Sequence, residues 1–462
     1  MTTAQELERG DVQGNILKGY RFPNAHYLLL SAPGPLDARA LLHDLLPHVT
    51  TMADHLPHDR PHSALNIAVT FSGFGRLGLD PWTLERFPAV FRQPTRERAD
   101  LLGDVGPSGP DTWPKQVGTG DVHFLVSVHG RDEGTVRGVV DTVCDAVAAH
   151  GADVVDETPA TMLKGKREHF GYADGAAQPD VEAVSERPDP RQAGGGVPLR
   201  NGGWRQVKLG EFLLGYPDED GNTVRTPDAA LVRNGSYVVY RKLEQDVGQF
   251  RARVRDAAAL TGMSEELLAA KVIGRWRDGV PLVQSPHRDP AADLTDHSVR
   301  NPSNDFRYLP DDPHGYLCPV GAHIRRTNPR DALTFDGAIK DGGRLIARHR
   351  IIRRGMPYGP EYDRDPDASR GLVFICYNAD IGRQFETVQM EWCNGGNAFG
   401  LGADPDYLLA PPGRPRKMTI PREGRTPAFV PVLDTVVITR GAEYLFAPGK
   451  AALRGLAAGA FR

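Results

Sequence analysis

The sequence predicts an α+β protein made of two ferredoxin-like units, each with a split βαβ arrangement. Three observations support this prediction. The first 165 residues alternate strand and helix patterns in the order β-α-β-β-α-β, which is the ferredoxin-like plan. The second half follows the same order less regularly, and a Gly- and Pro-rich polar segment, 187–203, lies between the halves and is typical of a long loop. We therefore expect an N-terminal domain over residues 1–205 and a C-terminal domain over residues 206–462.

The individual elements are predicted from their residue patterns. In the first half, β-rich segments bounded by turn residues predict strands over 26–32, 64–73, 122–130 and 154–163. Apolar residues at helical spacing predict helices over 36–52 and 133–150. In the second half, strands are predicted over 211–216, 236–242 and 372–377, and helices over 247–260 and 381–393. The segment 435–446 alternates in the manner of a closing hairpin.

The composition is that of an ordinary soluble globular protein, with 462 residues of which 40% are hydrophobic and 25% charged. The formal net charge is −4, so no general attraction to nucleic acid or to an anionic membrane is expected. The four cysteines are scattered without a Cys-x-x-Cys pair, which favours a reducing compartment. The N-terminus carries no apolar signal region and no twin arginine, and no run of about 18 apolar residues occurs. These features predict a cytoplasmic protein that does not span a membrane.

One carboxylate lies on a glycine-rich loop, in the segment HFGYADGAAQP at 169–179. Asp174 is flanked by Gly171 and Gly175, which tolerate unusual backbone angles and allow other groups to come close. An Asp-Gly pair alone is more often a simple turn than part of a functional site. Two later segments change this interpretation: CPVGAHIRRTNPRD at 318–331 and RHRIIRRGMPYGPE at 348–361.

Together the three segments resemble the dye-decolourising peroxidases, a family of haem enzymes. Four further segments are similar to family segments and occur in the family's order: GNILKGY at 14–20, GEFLLGYPDEDG at 210–221, AAKVIGRWRDGVPL at 269–282 and NDF at 304–306. The resemblance spans nearly the whole chain and implies two ferredoxin-like domains with haem bound in the C-terminal half. The length and the lack of an export signal resemble the larger, non-exported bacterial members.

The resemblance implies which residues hold the haem. His323, in Gly-Ala-His-Ile-Arg-Arg, stands at the position of the family's proximal histidine and is expected to be the axial ligand of the iron. No Cys-x-x-Cys-His motif occurs, so we expect haem b that is bound without thioether links. Arg325 and Arg326 are candidates for pairing with the haem propionates, since guanidinium groups match carboxylates. The alternative for each arginine is a solvated surface position.

Peroxidase chemistry also needs a group that moves a proton between the peroxide oxygens and a cation that stabilises the developing charge. Plant-type peroxidases use a distal histidine in a Phe-His dipeptide, which this chain lacks. The family's Gly-x-x-Asp-Gly motif implies Asp174 as the proton-transfer residue. The family's arginine lies four residues before a Pro-aromatic-Gly sequence, which falls on Arg353, with Arg354 as the adjacent alternative. On a strand these two arginines would point to opposite faces, so only one could reach the site.

A proximal histidine normally donates its second N–H to a carboxylate or a carbonyl group, which makes it a more basic ligand. Asp380 lies just after the predicted strand 372–377 and at the start of the predicted helix 381–393, and it is our candidate for this partner. The alternative is that Asp380 only caps the helix, since Asp is a favoured N-cap residue. The two roles do not exclude each other.

The sequence therefore predicts a peroxidase that reduces hydrogen peroxide and oxidises organic reductants, with dyes and phenols as the class implied by the family. Bulky substrates would give electrons to a surface residue among the 13 tyrosines and five tryptophans. The oligomeric state is open, with a homo-oligomer as one option. Three alternatives remain: a non-catalytic haem-binding or haem-handling protein, nucleotide binding at the glycine run 194–196, and a zinc site at His314, Cys318 and His323.

Overall fold

The computed structural model describes residues 6–54, 61–175, 177–184, 193–199, 202–223, 228–287, 304–333, 342–413, 416–432 and 435–461. The strands in these ranges are β1 (Asn24–Ser31), β2 (Ser63–Thr70), β3 (Phe124–Gly130), β4 (Asp153–Thr161), β5 (Val197–Pro198), β6 (Trp204–Arg205), β7 (Ser236–Gln245), β8 (Ile352–Arg353), β9 (Met356–Tyr358), β10 (Gly371–Asn378), β11 (Arg416–Ile420), β12 (Ala428–Val432) and β13 (Val437–Ala447). The α-helices are α1 (Gly14–Leu17), α2 (Pro35–Leu45), α3 (Phe71–Arg76), α4 (Pro81–Glu85), α5 (Ala89–Arg92), α6 (Ala99–Leu102), α7 (Glu133–Ala149), α8 (Ala229–Val232), α9 (Val247–Thr261), α10 (Glu265–Ile273), α11 (His323–Thr327), α12 (Gly342–Ala347) and α13 (Lys450–Ala458). A π-helix covers Gly382–Cys393.

The first unit has the strand order β4-β1-β3-β2, and every neighbouring pair in it is antiparallel. Helix α2 lies between β1 and β2 in the chain, and helix α7 lies between β3 and β4. Strands β1 and β2 therefore run parallel to each other on either side of β3. This is the ferredoxin-like arrangement that the order of elements predicts.

The second unit repeats this arrangement with the strand order β13-β7-β10-β8, and β9 also pairs with β10. Helix α9 follows β7, the π-helix follows β10, and all strand pairs are again antiparallel. Strand β13 also pairs with β2, through Leu445 and Thr70, so that the two units form one nine-stranded sheet. The prediction of two ferredoxin-like units is confirmed. The domain boundary between residues 205 and 206 stays a prediction.

Both faces of the sheet are covered by apolar side chains. In β1, Leu28 and Leu30 belong to the core shared with α2 and α7, whereas Leu29 belongs to the core on the other face. Helix α7 begins where the Asp132 carboxylate accepts a hydrogen bond from the N–H of Thr135 (2.7 Å). Its buried residues recur at helical spacing and pack on the sheet: Val136, Val140, Val143 and Val147. Among the helices of the described ranges, none is long and apolar enough to cross a lipid bilayer.

Two predicted elements of the first half end earlier than expected. The helix predicted over 36–52 ends at Leu45, because Pro47 interrupts it and a 3₁₀ turn follows. The strand predicted over 64–73 ends at Thr70. The hydroxyl of Thr70 accepts a hydrogen bond from the N–H of Gly73 (2.9 Å) and caps helix α3.

Two predicted elements of the second half take a different form. No strand forms over 211–216, because the chain reverses there and the N–H of Gly210 donates to the carbonyl of Pro217 (3.1 Å). The predicted hairpin over 435–446 is one continuous strand, β13. Its Gly441 lies at a β-bulge, where the register shifts, and not in a turn. Part of the predicted loop 187–203 lies outside the described residues, and the described part contains β5, which pairs with β6.

Candidate active site

A large cavity lies against the face of the sheet formed by β7, β10 and β13, and residues of the segments 102–108 and 168–177 complete its wall. Its empty volume is about 1970 Å³ with the open mouth included. Four apolar side chains of the sheet line the cavity: Leu243, Leu372, Phe374 and Val437. They stay partly exposed, although β7, β10 and β13 are interior strands of the sheet. A flat apolar group would cover this face.

His323, the first residue of α11, also lines the cavity. Its Nδ1 lies 2.9 Å from Oδ2 of Asp406, whose side chain is fully buried. The other carboxylate oxygen of Asp406 accepts the N–H groups of Leu408 (2.9 Å) and Leu409 (3.1 Å). Because a carboxylate can only accept, we assign the imidazole proton to Nδ1, and Nε2 keeps the lone pair that can bind a metal. Burial raises the pKa of Asp406, but the charge of His323 and its hydrogen bond outweigh burial, and the net pKa is lowered.

Asp380 is therefore not the partner of His323, and Asp406 replaces it in this role. The Oδ1 atom of Asp380 accepts the N–H of Arg383 (3.0 Å) at the start of the π-helix, which is the capping role considered as the alternative. Asp406 reaches His323 because its N–H donates to the carbonyl of Cys393, the last residue of the π-helix (2.7 Å). The two partners are 83 residues apart, so no local spacing in the sequence connects them.

Asp174 forms an ion pair with Arg353 in the cavity wall. Asp174 Oδ1 accepts hydrogen bonds from Arg353 Nη1 (3.1 Å) and from the N–H of Gly175 (2.6 Å). Gly171 and Gly175 have φ angles of +95° and +79°, which residues with a side chain rarely adopt, so the loop requires glycine at both positions. The side chain of Asp174 is 40% exposed and lines the cavity, where a ligand can contact it.

Opposing effects set the pKa of Asp174. Burial raises this pKa, but the positive charge of Arg353 and the hydrogen bonds from Gly175 and Arg353 lower it more, so the net pKa lies below the usual value. The carboxylate is therefore ionised at neutral pH and able to accept a proton. Glu168, which also lines the cavity, has a pKa raised by burial. It accepts the N–H groups of Phe170 (2.8 Å) and Tyr172 (2.9 Å), and so shapes the loop that leads to Asp174.

The two candidate arginines, Arg353 and Arg354, have different surroundings. Arg353 lines the cavity, and it is paired with Cys376 of β10. Arg354 bonds elsewhere, because its Nε donates to the carbonyl of Asn15 (2.9 Å) and its Nη1 to the carbonyl of Arg353 (2.9 Å). Arg353 is the last residue of β8 and Arg354 follows it, and of the two side chains only that of Arg353 lines the cavity.

Arg325 and Arg326 do not line this cavity, which corrects the expectation that they pair with propionates. Arg325 donates to Oδ2 of Asp312 (3.0 Å) and to the carbonyl of Cys318 (2.8 Å). Arg326 donates to four backbone carbonyls, those of Gly321, Trp392, Gly395 and Asp404. The two side chains are 2% and 0% exposed, so the solvated alternative is also wrong. Both arginines hold together the loops around α11.

Three other arginines form a positively charged part of the wall: Arg275, Arg330 and Arg350. All three are buried, and none pairs with a carboxylate of the described ranges. Burial, together with the charges of Arg330 and Arg353, lowers the pKa of Arg350 to about 9. Burial also lowers the pKa of Arg275 to about 10. Buried cations that lack a counter-ion favour an anionic ligand.

Two alternatives from the sequence find no support. The described part of the chain contains no group of three or more His, Cys, Asp or Glu side chains that could hold a metal ion, which argues against a zinc site at His314, Cys318 and His323. Gly194 and Gly196 serve close backbone packing. An added Cβ would lie 1.8 Å from the carbonyl oxygen of Asn304 at the first and 2.1 Å from that of Arg205 at the second. These glycines therefore pack against protein backbone and do not form a phosphate-binding loop.

Comparison with known proteins gives consistent matches. Residues 217–398 match the family model described as "Dyp-type peroxidase, C-terminal". Peroxidase 2 of Mycetinis scorodonius is 28% identical over 97% of this chain and 87% of its own. The multifunctional dye peroxidase DyP2 of Amycolatopsis sp. is 29% identical over 96% of this chain and 95% of its own. The crystal structure of a DyP-type peroxidase from Anabaena sp. (AnaPX) has a TM-score of 0.78 at 26% identity, with 97% of this chain and 94% of that chain covered.

The histidine and the Asp–Arg pair lie in one cavity of a fold that the DyP-type peroxidase of Anabaena sp. shares over nearly the full length. Residues 217–398 thus match the C-terminal part of the DyP-type peroxidases, and nearly the whole chain is similar to proteins named dye peroxidases. Haem is the cofactor of this family, and the cavity fits it in three respects. Nε2 of His323 keeps its lone pair, the apolar face of the sheet matches a flat macrocycle, and the buried arginines match two propionates.

Four residues of the site are not among those predicted from the sequence: Arg275, Arg330, Arg350 and Asp406. A signal was available for two of them, since Arg330 and Arg350 lie inside the segments 318–331 and 348–361 that carry the resemblance. Arg275 lies in a further similar segment, 269–282. Asp406 lies in none of these segments.

Proposed function

We propose that this protein reduces hydrogen peroxide to water and oxidises organic molecules such as dyes and phenols, with non-covalently bound haem b. Asp174 and Arg353 act on the peroxide, and His323 is the axial ligand. The observation that carries the proposal is the ion pair between Asp174 Oδ1 and Arg353 Nη1 (3.1 Å) in the cavity that His323 also lines. Haem would supply the iron that binds peroxide and the two electrons that split its O–O bond.

His323 would bind the iron through Nε2. The hydrogen bond from its Nδ1 to Asp406 fixes the tautomer and the orientation of the ring, and it makes the imidazole a more electron-rich ligand. Arg275, Arg330 and Arg350 would pair with the propionates, which would supply the counter-charges that these buried cations lack. The apolar residues of the sheet would exclude water from the remaining surface of the macrocycle.

Asp174 would accept the proton of one peroxide oxygen and deliver it to the other oxygen, which leaves as water. Its lowered pKa keeps the carboxylate ionised at neutral and weakly acidic pH, so it is ready to accept a proton. The permanently charged guanidinium of Arg353 would stabilise the negative charge that develops on the departing oxygen. Since Arg353 also lowers the pKa of Asp174, the two functions depend on the same 3.1 Å contact.

Large dyes would be oxidised at the protein surface, because they are too bulky for a buried cofactor. Trp82 and Tyr316 are exposed aromatic side chains, at 69% and 37% exposure. Tyr316 lies in the segment that leads to His323, and its ring is 5.6 Å from that of His314. We choose Tyr316 as the first candidate because its carbonyl accepts a hydrogen bond from Lys271 Nζ (2.8 Å) in α10, and Ile273 at the end of that helix lines the cavity.

The test is a stopped-flow experiment on protein expressed with haem supply. One equivalent of hydrogen peroxide should change the Soret band rapidly, and a phenol should restore it. His323→Ala should lose most of its haem, and wild-type haem content with an unchanged spectrum would exclude His323 as the ligand. A haem-loaded wild type that does not respond to peroxide would instead be a non-catalytic haem-handling protein, which has no use for the Asp174–Arg353 pair.

A further inference from the structure

Gln178 lies four residues after Asp174, and its side chain bonds to the backbone of Arg353. Its Nε2 donates to the carbonyl of Arg353 (3.1 Å), and its Oε1 accepts the N–H of the same residue (3.1 Å). One side-chain amide thus occupies both backbone polar groups of the arginine in the site. Gln178 does not line the cavity, so it acts on the site only through other residues.

The position of Arg353 at a sheet edge explains why these groups are open to a side chain. Strand β8 is the last strand of its sheet and pairs on one side, with β10. The ladder bond on that side is made by the next residue, since the N–H of Arg354 donates to the carbonyl of Ile375 (2.8 Å). In an antiparallel ladder the N–H and the carbonyl of the preceding residue, Arg353, then point away from β10. The amide of Gln178, with one donor and one acceptor side by side, takes the place of the missing strand.

We propose that Gln178 is a positioning residue that aligns Arg353 with Asp174. Asp174 and Arg353 are 179 residues apart and their side chains are 40% and 35% exposed, so their ion pair alone is too weak to set the geometry. Gln178 ties the loop of Asp174 to the backbone of Arg353, and only the arginine side chain remains to be ordered. The proposal rests on the proposed function, because it gives Gln178 a role only through this pair.

The chain offers a matched control in Gln206. Its Nε2 donates to Oδ1 of Asp180 (3.2 Å) and to the carbonyl of Val181 (3.3 Å), so it attaches the segment that follows Gln178 to the rest of the protein. Neither of these two bonds involves Arg353. Replacing Gln206 therefore loosens the same segment without releasing the arginine.

The experiment compares Gln178→Leu, Gln178→Glu and Gln206→Leu as haem-loaded proteins. The leucine removes both bonds to Arg353, and the glutamate keeps an acceptor but places an oxygen against the arginine carbonyl. Peroxide activation by both Gln178 variants should be roughly 10²-fold slower with unchanged haem content, as expected for a misplaced group. The acid limb of the pH profile should shift to higher pH, because a displaced Arg353 lowers the pKa of Asp174 less. Gln206→Leu should keep the wild-type rate and acid limb.

A second measurement does not depend on turnover. Site-specific NMR titration of Asp174 in the haem-free protein should give a higher pKa in Gln178→Leu than in wild type. In addition, Gln178→Leu combined with Arg353→Leu should be no slower than Arg353→Leu alone, since both changes act on one group.

A wild-type rate and acid limb in the Gln178 variants would overturn the proposal, and so would a loss of equal size in Gln206→Leu or an additive loss in the double variant. If Gln178→Leu does not fold, Gln178→Glu decides by the same criteria. A normal rate in Arg353→Leu would contradict the proposed function itself. A slow Arg353→Leu beside normal Gln178 variants would contradict only the role of Gln178.

Discussion

Replacing Asp406 with asparagine tests how the protein sets the proton of His323. One carboxylate oxygen of Asp406 accepts the N–H groups of Leu408 and Leu409, and the other accepts His323 Nδ1–H at 2.9 Å. In Asp406→Asn the single amide oxygen should keep the two backbone bonds, which leaves the NH₂ group facing the imidazole. Nδ1 must then act as an acceptor. The imidazole proton moves to Nε2, the atom that should bind iron.

The expected loss of haem affinity can be estimated from the role of a carboxylate that orients a metal-binding histidine. Loss of the group that orients a metal-binding histidine costs ~10–100-fold in affinity, which corresponds to ~1.4–2.7 kcal/mol. We expect haem affinity to fall by this factor, because Asp406 is fully buried and water cannot replace it. The assay is a titration of haem-free protein with haem, followed by the Soret band. Asp380→Asn is the control, since asparagine caps a helix as well as aspartate and should leave the affinity unchanged. Unchanged affinity in Asp406→Asn, or an equal loss in Asp380→Asn, would refute the reasoning.

Arg353, its neighbour Arg354 and two other side chains give further predictions. Arg353→Leu should slow peroxide activation by ~10²–10³-fold with haem still bound, while Arg354→Leu stays near normal; the reverse result in stopped-flow would exchange their roles. Tyr316→Phe should reduce the oxidation of bulky dyes but not of small phenols, and Trp82→Phe is the control. Equal rates of dye oxidation in wild type and both variants would exclude Tyr316 as the oxidation site. Burial raises the pKa of Glu443 from 4.5 to about 8, so its contribution to stability is complete below pH 4.5 and is lost as the pH rises through 8. Denaturant titrations should show wild type losing stability over this interval relative to Glu443→Gln, and parallel curves would contradict the raised pKa.

The fold could be predicted from the order of its elements, because the ferredoxin-like plan depends on the sequence of strands and helices and not on their exact ends. The predictions that failed concern where a helix ends and whether a strand is continuous. The segment 435–446 was predicted as a closing hairpin, but it belongs to one long strand with a bulge at Gly441. Pro47 marks the end of a helix that apolar spacing alone would extend.

The site was predictable only where the residues lie in the segments that carry the family resemblance. His323, Asp174 and Arg353 line one cavity. Arg325 was misassigned because closeness to His323 in the sequence is not closeness in space. Two residues further along a helix, a side chain points to the opposite side. Asp406 was missed because the loop after the π-helix, and not a sequence spacing, brings it to the histidine.

The most direct test of the central claim, that Asp174 moves the proton of peroxide, is the rate of peroxide activation in wild type and Asp174→Asn across pH. This step must be measured by stopped-flow separately from dye oxidation, which has its own pH dependence. Because the pKa of Asp174 is lowered, wild type should stay active through the weakly acidic range and lose activity only below the pH at which a free aspartate titrates. Asp174→Asn should be slower by ~10²–10⁴-fold at every pH above that limit. If Asp174→Asn activates peroxide as fast as wild type throughout, Asp174 is not the proton-transfer residue.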